Sequence, residues 1–219
     1  MTFDVSAAAY GDFMGRFSEP LAPLFADAAG VTGRATALDV GCGPGALTAQ
    51  LVARLGASSV HAVDPSARFV EAARQRLPDV DVQEGRAEAL PFSDDTLDVA
   101  MAQLVVHFMN DPVAGLRDMG RVVRAGGTVA ACVWDHAGGA GPLALFWDGV
   151  RALDPDHAGE ADLPGTRSGQ LTEIATAAGL DNVRESSLEV TVTMPTFDAW
   201  WRPFTYGVGP AGVYVAGLD

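Results

Sequence analysis

The chain contains no lysine: all 14 of its basic residues are arginine, set against 28 aspartates and glutamates, for a formal net charge of −14. A surface of that sign repels phosphate backbones, which disfavours nucleic acid as a partner. Arg117, Arg121 and Arg124 line up at helical spacing and read as the solvated face of a helix. Cysteine is scarce too. Cys42 and Cys132 show no Cys-x-x-Cys spacing and no neighbouring histidine pair, so neither a metal site nor a disulfide framework is expected, and both read as packing residues in a reducing compartment. No apolar run approaches the roughly 20 residues of a membrane span. The amino terminus, with Asp4 early, lacks the apolar stretch of a secretory signal. The expectation is a cytoplasmic protein that does not insert into membranes.

What the sequence does have is enough apolar material for one large globular unit, 48% of 219 residues. It also has one organising stretch, from Ala37 to Gly45. An apolar run stops at Gly41, Gly43 and Gly45, and an amphipathic segment from Ala46 to Leu55 follows, which reads as strand, tight turn and helix. Glycine at alternate positions lets a ligand approach the backbone and permits positive φ.

Before this turn, Ser18 and Pro20 suit the cap and first turn of a helix running to about Ala29. The earlier Tyr10, Phe13, Met14, Arg16 and Phe17 form either a flap over a ligand or the seal on a core edge. After the turn, Ser59 to Val63 is a strand ending in Asp64, and Ala67 to Arg76 is a helix. Val80 to Gln83 and Leu97 to Gln103 are strands. A helix starts at Asp111-Pro112 and is stopped by Ala125-Gly126-Gly127, and Thr128 to Trp134 is the fifth strand. This alternation predicts an α/β fold, a doubly wound, mostly parallel, Rossmann-like sheet with helices on both faces. Leu143 to Leu153 and Gln170 to Ala178 read as helices. Asp154 to Gly165 reads as an acidic, proline-bearing loop whose acids, Asp154 to Asp162, either solubilise it or attract a cationic substrate, Val183 to Met194 as an edge or antiparallel strand, and Gly212 to Ala216 as a short final strand. The organisation expected is an N-terminal helical flap (1–34), a cofactor-binding core (35–135) and a substrate-side remainder of the same domain (136–219).

Two cofactor classes compete for the glycine turn. Gly41-x-Gly43-x-x-Ala46 satisfies the dinucleotide fingerprint, and Asp64 at the end of the second strand would serve the ribose of NAD. Asp39, two residues before the first glycine, the further Gly45, and some thirty residues ahead of the first strand favour a different nucleoside.

These segments resemble the class I S-adenosylmethionine-dependent methyltransferases, in particular the small-molecule branch of ubiquinone and menaquinone type. The resemblance rests on Leu38-Asp39-Val40-Gly41-Cys42-Gly43-Pro44-Gly45, Val63-Asp64-Pro65-Ser66, Gly85 to Phe92 and Arg121 to Gly127, in that order. It implies S-adenosylmethionine as cofactor. Asp39, Gly41, Cys42, Gly43 and Gly45 would surround its methionine part, Asp64 with Pro65 its ribose, and Arg86, Ala87 and Glu88 its adenine. Gln103 would face the methionine moiety or the transferring methyl, and Arg16 in the flap is counted with the cofactor contacts. Relatives often carry histidine just past the fourth strand, which makes His107 a candidate general base, with His136 as its alternative.

The acceptor implied is a small, apolar or aromatic molecule entering at the carboxyl edge of the sheet and lined by Tyr10, Phe13, Phe17, Phe108, Trp134 and Trp147, with Trp200 nearby. A monomer or homodimer is expected. Relatives close the sheet with an antiparallel hairpin; if Gly212 to Ala216 is helical instead, the chain reads as a truncated form. An NAD(P)-dependent oxidoreductase and a non-catalytic cofactor-binding module remain the competing readings.

Overall fold

The computed structural model describes residues 6–157 and 159–218. Met1 to Val5 of the expected flap, Ala158 of the acidic loop and Asp219 lie outside the described residues. Five strands, β1 (Ala37–Val40), β2 (Val60–Asp64), β3 (Asp81–Glu84), β4 (Leu97–Gln103) and β5 (Val123–Cys132), pair in parallel in the order β3-β2-β1-β4-β5. The helices are α1 (Ala7–Tyr10), α2 (Arg16–Ala28), α3 (Ala46–Leu55), α4 (Ala67–Arg76), α5 (Pro112–Val122), α6 (Ala144–Leu153), α7 (Gln170–Ala177), α8 (Phe197–Trp201) and α9 (Gly209–Ala216).

Both faces of the sheet are covered, which is why its central strands are apolar with little alternation. On one face, Phe25 of α2, Leu47 and Leu51 of α3 and Val70 of α4 pack on Ala37, Val60, Val82 and Met101. On the other, Leu116, Met119 and Val122 of α5 pack on Leu38, Val40, Val63 and Ala100. A third cluster lies outside the sheet and joins Phe13 to Phe146, Trp147, Phe204, Val208 and Ala211. The strand order reverses between β1 and β4, and the space beyond their carboxyl ends is where such sheets bind ligands.

Several sequence expectations need correction. Ser18 does not cap α2. It lies buried inside a helix that begins at Arg16 and is joined to α1 by a π-helical turn, Gly11–Gly15. Gly126 and Gly127 do not stop α5, because the helix ends at Val122 and both glycines lie within β5. There the register jumps, with Leu97 opposite Val123 but Val99 opposite Thr128. The glycines serve this bulge. Gly126 has φ +80°, and a Cβ on Gly127 would sit 2.5 Å from the Asp98 carbonyl oxygen.

Val183 to Met194 forms no strand. Its alternation is nonetheless real: Leu188, Val190, Val192 and Met194 are half-buried while their neighbours are exposed, and Leu188 packs against the core cluster on that face of the sheet. Periodicity of two fixes which side chains face inward, but backbone pairing also needs a partner edge in register. Gly212 to Ala216 belongs to α9 rather than to a strand. Pro210 presets the first helical turn, and a Cβ on Gly212 would meet the Gly207 backbone at 2.6 Å, so this helix packs by close backbone approach.

Candidate active site

The glycine turn connects β1 to α3 across the carboxyl end of β2. The amides of Gly41 and Cys42 both donate to the Val63 carbonyl, at 2.8 and 3.0 Å, and the Gly43 amide donates to Asp64 Oδ2 at 2.8 Å. All three glycines have positive φ, and a Cβ on Gly41 would come within 2.5 and 2.6 Å of the two Val105 methyls. The cradle is therefore closed to any side chain at Gly41.

Two carboxylates sit behind it. Asp39, 1% exposed, accepts from the Thr48 hydroxyl at 2.6 Å. Burial, with a smaller contribution from Asp64, pushes its carboxyl up to about 7. Asp64 is also buried and raised by desolvation, although the amides of Gly43 and Ser66 hold one of its oxygens each, the latter at 2.8 Å. Ser66 itself caps α4, which leaves Asp64 to the turn. Pro65, between them, is exposed. No ion pair is formed by either acid among the described residues, so the turn is backed by two acids without a counter-ion.

Tyr10 of α1 lies over this turn. Its Cε1 is 4.0 Å from where a Gly43 Cβ would stand, and its ring is 5.1 Å from Phe69 of α4. On the adenine side implied by the resemblance, Ala87 is buried and Arg86 is more than half exposed. Glu88 accepts from the amides of Asn110 and Asp111, at 2.8 and 3.2 Å, ahead of α5. Arg121 holds the same loop. It donates to the carbonyls of Leu90 and Phe92, at 3.1 and 2.8 Å, and pairs with Asp118 and Asp94, so it is a clamp rather than a solvated residue. Arg124 pairs with Asp98, and Arg117 reaches the Ala177 carbonyl.

Gln103 ends β4 and donates through Nε2 to the Ser18 carbonyl at 3.1 Å, while its Oε1 is buried without a partner. The next residue, Leu104, has φ +63°, a conformation that non-glycine residues rarely adopt and that clusters at functional sites. A cavity opens beside it. It is lined by Tyr10, Phe13, His107, Trp134, His136 and Glu160 among others, with about 400 Å3 between atoms but only about 30 Å3 that admits a water centre. The cavity is partly open to solvent but in this arrangement admits little more than a water molecule, so a larger acceptor enters only as its walls part. His107 is 6% exposed with its Nδ1 unpartnered, and Trp134 Nε1 is likewise buried and unpartnered. Burial, then the neighbouring His136, pulls His107 down to about 3, so it is a neutral imidazole.

Of the other residues singled out in the sequence, Arg16 is turned away from the glycine turn. Its guanidinium donates to the Ala199 carbonyl at 2.9 Å and to Met194 Sδ at 3.0 Å, which ties α2 to the C-terminal segment. Phe17 and Trp200 line a second, smaller cavity with Arg16. Cys42 is a buried thiol, held well above its ordinary value by desolvation, and acts in packing. Asp39, Gly41, Cys42, Gly43, Gly45 and Asp64 are brought together at the β1 and β2 ends. Gln103 and His107 stand at the β4 end. Sequence reasoning misses Leu104, whose strain has no sequence signal, and Glu160, whose neighbours in sequence suggest a solvated acidic loop.

Residues 38–131 match the family described as a methyltransferase domain. The match covers the core, less than half of the chain, whose fold is that of S-adenosylmethionine-dependent methyltransferases. An uncharacterised protein of Mycobacterium tuberculosis is 31% identical over 177 residues, covering 75% of this chain and 64% of that protein. A 2-methyl-6-phytyl-1,4-hydroquinone methyltransferase of rice, Oryza sativa subsp. japonica, is 37% identical over 98 residues, 44% of this chain and 28% of that enzyme. The chain thus spans less than two thirds of the length of these curated relatives. In structure, the methyltransferase domain resembles the putative methyltransferase seen in complex with the Trm112 activator of Haloferax volcanii, with TM-score 0.63, 22% identity, and coverage of 87% of this chain and 81% of that one.

The cofactor of this class suits the residues present. The cradle at Gly41 excludes side chains, buried Gln103 Oε1 is an unused acceptor, and the carboxylates of Asp39 and Asp64 are complementary to a cation.

Proposed function

We propose that this methyltransferase domain transfers a methyl group from S-adenosylmethionine to a small, apolar or aromatic acceptor held in the cavity beside Leu104. The observation that carries this reading is the sign of the charge behind the glycine turn. Asp39 and Asp64 lie at the carboxyl ends of adjacent strands with no cation between them among the described residues, and the amides of Gly41, Cys42 and Gly43 are already engaged by Val63 and Asp64. A dinucleotide would bring its pyrophosphate against two acids and amides that point elsewhere, the reverse of an anion site. An amino acid with a sulfonium brings positive charge instead.

When bound, the cofactor supplies an electrophilic methyl on sulfur. The protein's part is positioning. Asp64 keeps a second lone pair on each oxygen for ribose hydroxyls, and Gln103 Oε1 is free to accept from a polar group. Holding an acceptor atom in line in this way supplies up to roughly 7 to 11 kcal/mol of barrier reduction. His107, as a neutral imidazole, accepts a hydrogen bond from an acceptor that arrives protonated.

Calorimetric titration with S-adenosylhomocysteine tests the reading. The wild type binds, and Asp64→Ala loses two charge-assisted hydrogen bonds of about 1.5–3 kcal/mol each, a drop of at least a hundredfold. Binding by neither protein, undiminished binding by Asp64→Ala, or nicotinamide fluorescence enhancement on adding NADH counts against it.

A further inference from the structure

Glu160 lies on the connection between α6 and α7, in a stretch whose acids suggest a solvated loop. It is instead 3% exposed and lines the cavity together with His107, Trp134 and Tyr10. Its Oε2 accepts from Trp147 Nε1 at 2.8 Å, and its backbone carbonyl accepts from the Leu163 amide at 3.2 Å. Trp147 in turn stacks on His157, with ring centroids 5.2 Å apart. Among the described residues no cation faces this carboxylate, and burial pushes it up to about 7. The histidines nearby do not supply one: His107 and His136 are both held far below their ordinary values by desolvation, and their rings lie 6.1 Å apart.

A buried acid without a counter-ion, set among aromatic rings, is complementary to one ligand class. Carboxylate and ring faces both attract an organic cation, the first by charge-assisted hydrogen bonding and the second through the quadrupole of the ring. A neutral alcohol or phenol would leave the carboxylate uncompensated, and a carboxylic acid would be repelled.

We propose that Glu160 selects the acceptor, and that the acceptor is an amine carried on a flat, apolar group, its nitrogen held between Glu160 and His107 Nδ1. The proposal rests on the methyltransferase reading above and adds the substrate class to it. The bound ammonium first gives a proton to the Glu160 carboxylate, which frees the nitrogen lone pair; that lone pair then forms the new N–C bond as the C–S bond breaks toward sulfur, and the methylated amine leaves as an ammonium while the Glu160 proton passes to solvent. His107, which lines the same cavity and has its Nδ1 unpartnered, accepts a second N–H and orients the lone pair.

The experiment uses three amine and alcohol pairs of graded size: benzylamine with benzyl alcohol, phenethylamine with 2-phenylethanol, and tryptamine with tryptophol. Each is titrated into the protein saturated with S-adenosylhomocysteine. For at least one pair the amine binds about tenfold or more tightly than its alcohol, the range expected of a charge-assisted hydrogen bond. In Glu160→Gln, whose amide oxygen still accepts from Trp147, that preference falls to within about threefold while S-adenosylhomocysteine affinity is retained. No amine preference in the wild type, which needs no variant to read, overturns the proposal, as does a preference that survives Glu160→Gln. Absence of S-adenosylhomocysteine binding by the wild type would instead remove the reading beneath it.

Discussion

Replacing Asp39 with asparagine separates what the fold needs at this position from what the ligand needs. In the folded chain the Asp39 carboxyl is pushed from its ordinary 3.8 up to about 7 by burial, against the stabilising bond from Thr48. A raised carboxyl favours the protonated form in the native state, so its contribution to stability is greatest below pH 4 and is lost as pH rises toward 7. A shift of about three units at 1.36 kcal/mol each sets a ceiling of about 4 kcal/mol on that loss. Asparagine keeps an oxygen for the Thr48 hydroxyl and carries no charge. The variant and the wild type should therefore be equally stable near pH 4. By pH 8, without ligand, the variant should be the more stable by up to about 4 kcal/mol, roughly 8–16 °C in melting temperature for a chain of this size. Urea or thermal melts across pH 4 to 8 give the difference curve, in which Asp64, Glu160 and the histidines largely cancel. S-adenosylmethionine affinity should move the opposite way and fall at least tenfold at pH 8. A variant no more stable than the wild type at pH 8, or one that binds the cofactor undiminished, refutes the claim that this acid is held at a cost to the fold for the sake of a cation.

Gly41→Ala forces a Cβ into the Val105 methyls and holds alanine at φ +73°; backbone strain and overpacking together should destabilise by about 2–6 kcal/mol. Val105→Ala in the same chain should restore only the overpacking part, and a melt of Gly41→Ala alone that matches the wild type contradicts the account. Arg121→Ala removes the donors that hold the Leu90 and Phe92 carbonyls. It should cost about 1–3 kcal/mol and weaken S-adenosylhomocysteine binding severalfold through the loop from Gly85 to Phe92, as read by melts and calorimetry; an unchanged melt would reduce the clamp to a surface ion pair.

Much of the fold was legible because local signals and tertiary demands agree. Ser66 before Ala67 and Gly45 before Ala46 set helix starts that the structure reproduces, and Leu97 to Gln103 is a strand over the same residues. The failures share a cause. Gly126 and Gly127 look alike whether they end a helix or relieve a bulge, and only the register of β5 against β4 decides. Val213 and Val215 favour a strand, but Pro210 and the contact of Gly212 on Gly207 override them. At the site, the glycines and Asp39 could be placed because they act through backbone geometry near them in sequence. The surroundings of Glu160 could not, because its burial depends on Trp147 thirteen residues earlier and on a cavity wall contributed by α1 and α9. The orientation of Arg16 likewise depends on Ala199, 183 positions away.

Tyr10 lies over the glycine turn and also lines the cavity beside Leu104. It is a party wall between two chambers. Molecules that lean on opposite sides of one wall do not bind independently, and whatever the first to arrive does to the grip on the second, the second does in equal measure to the first.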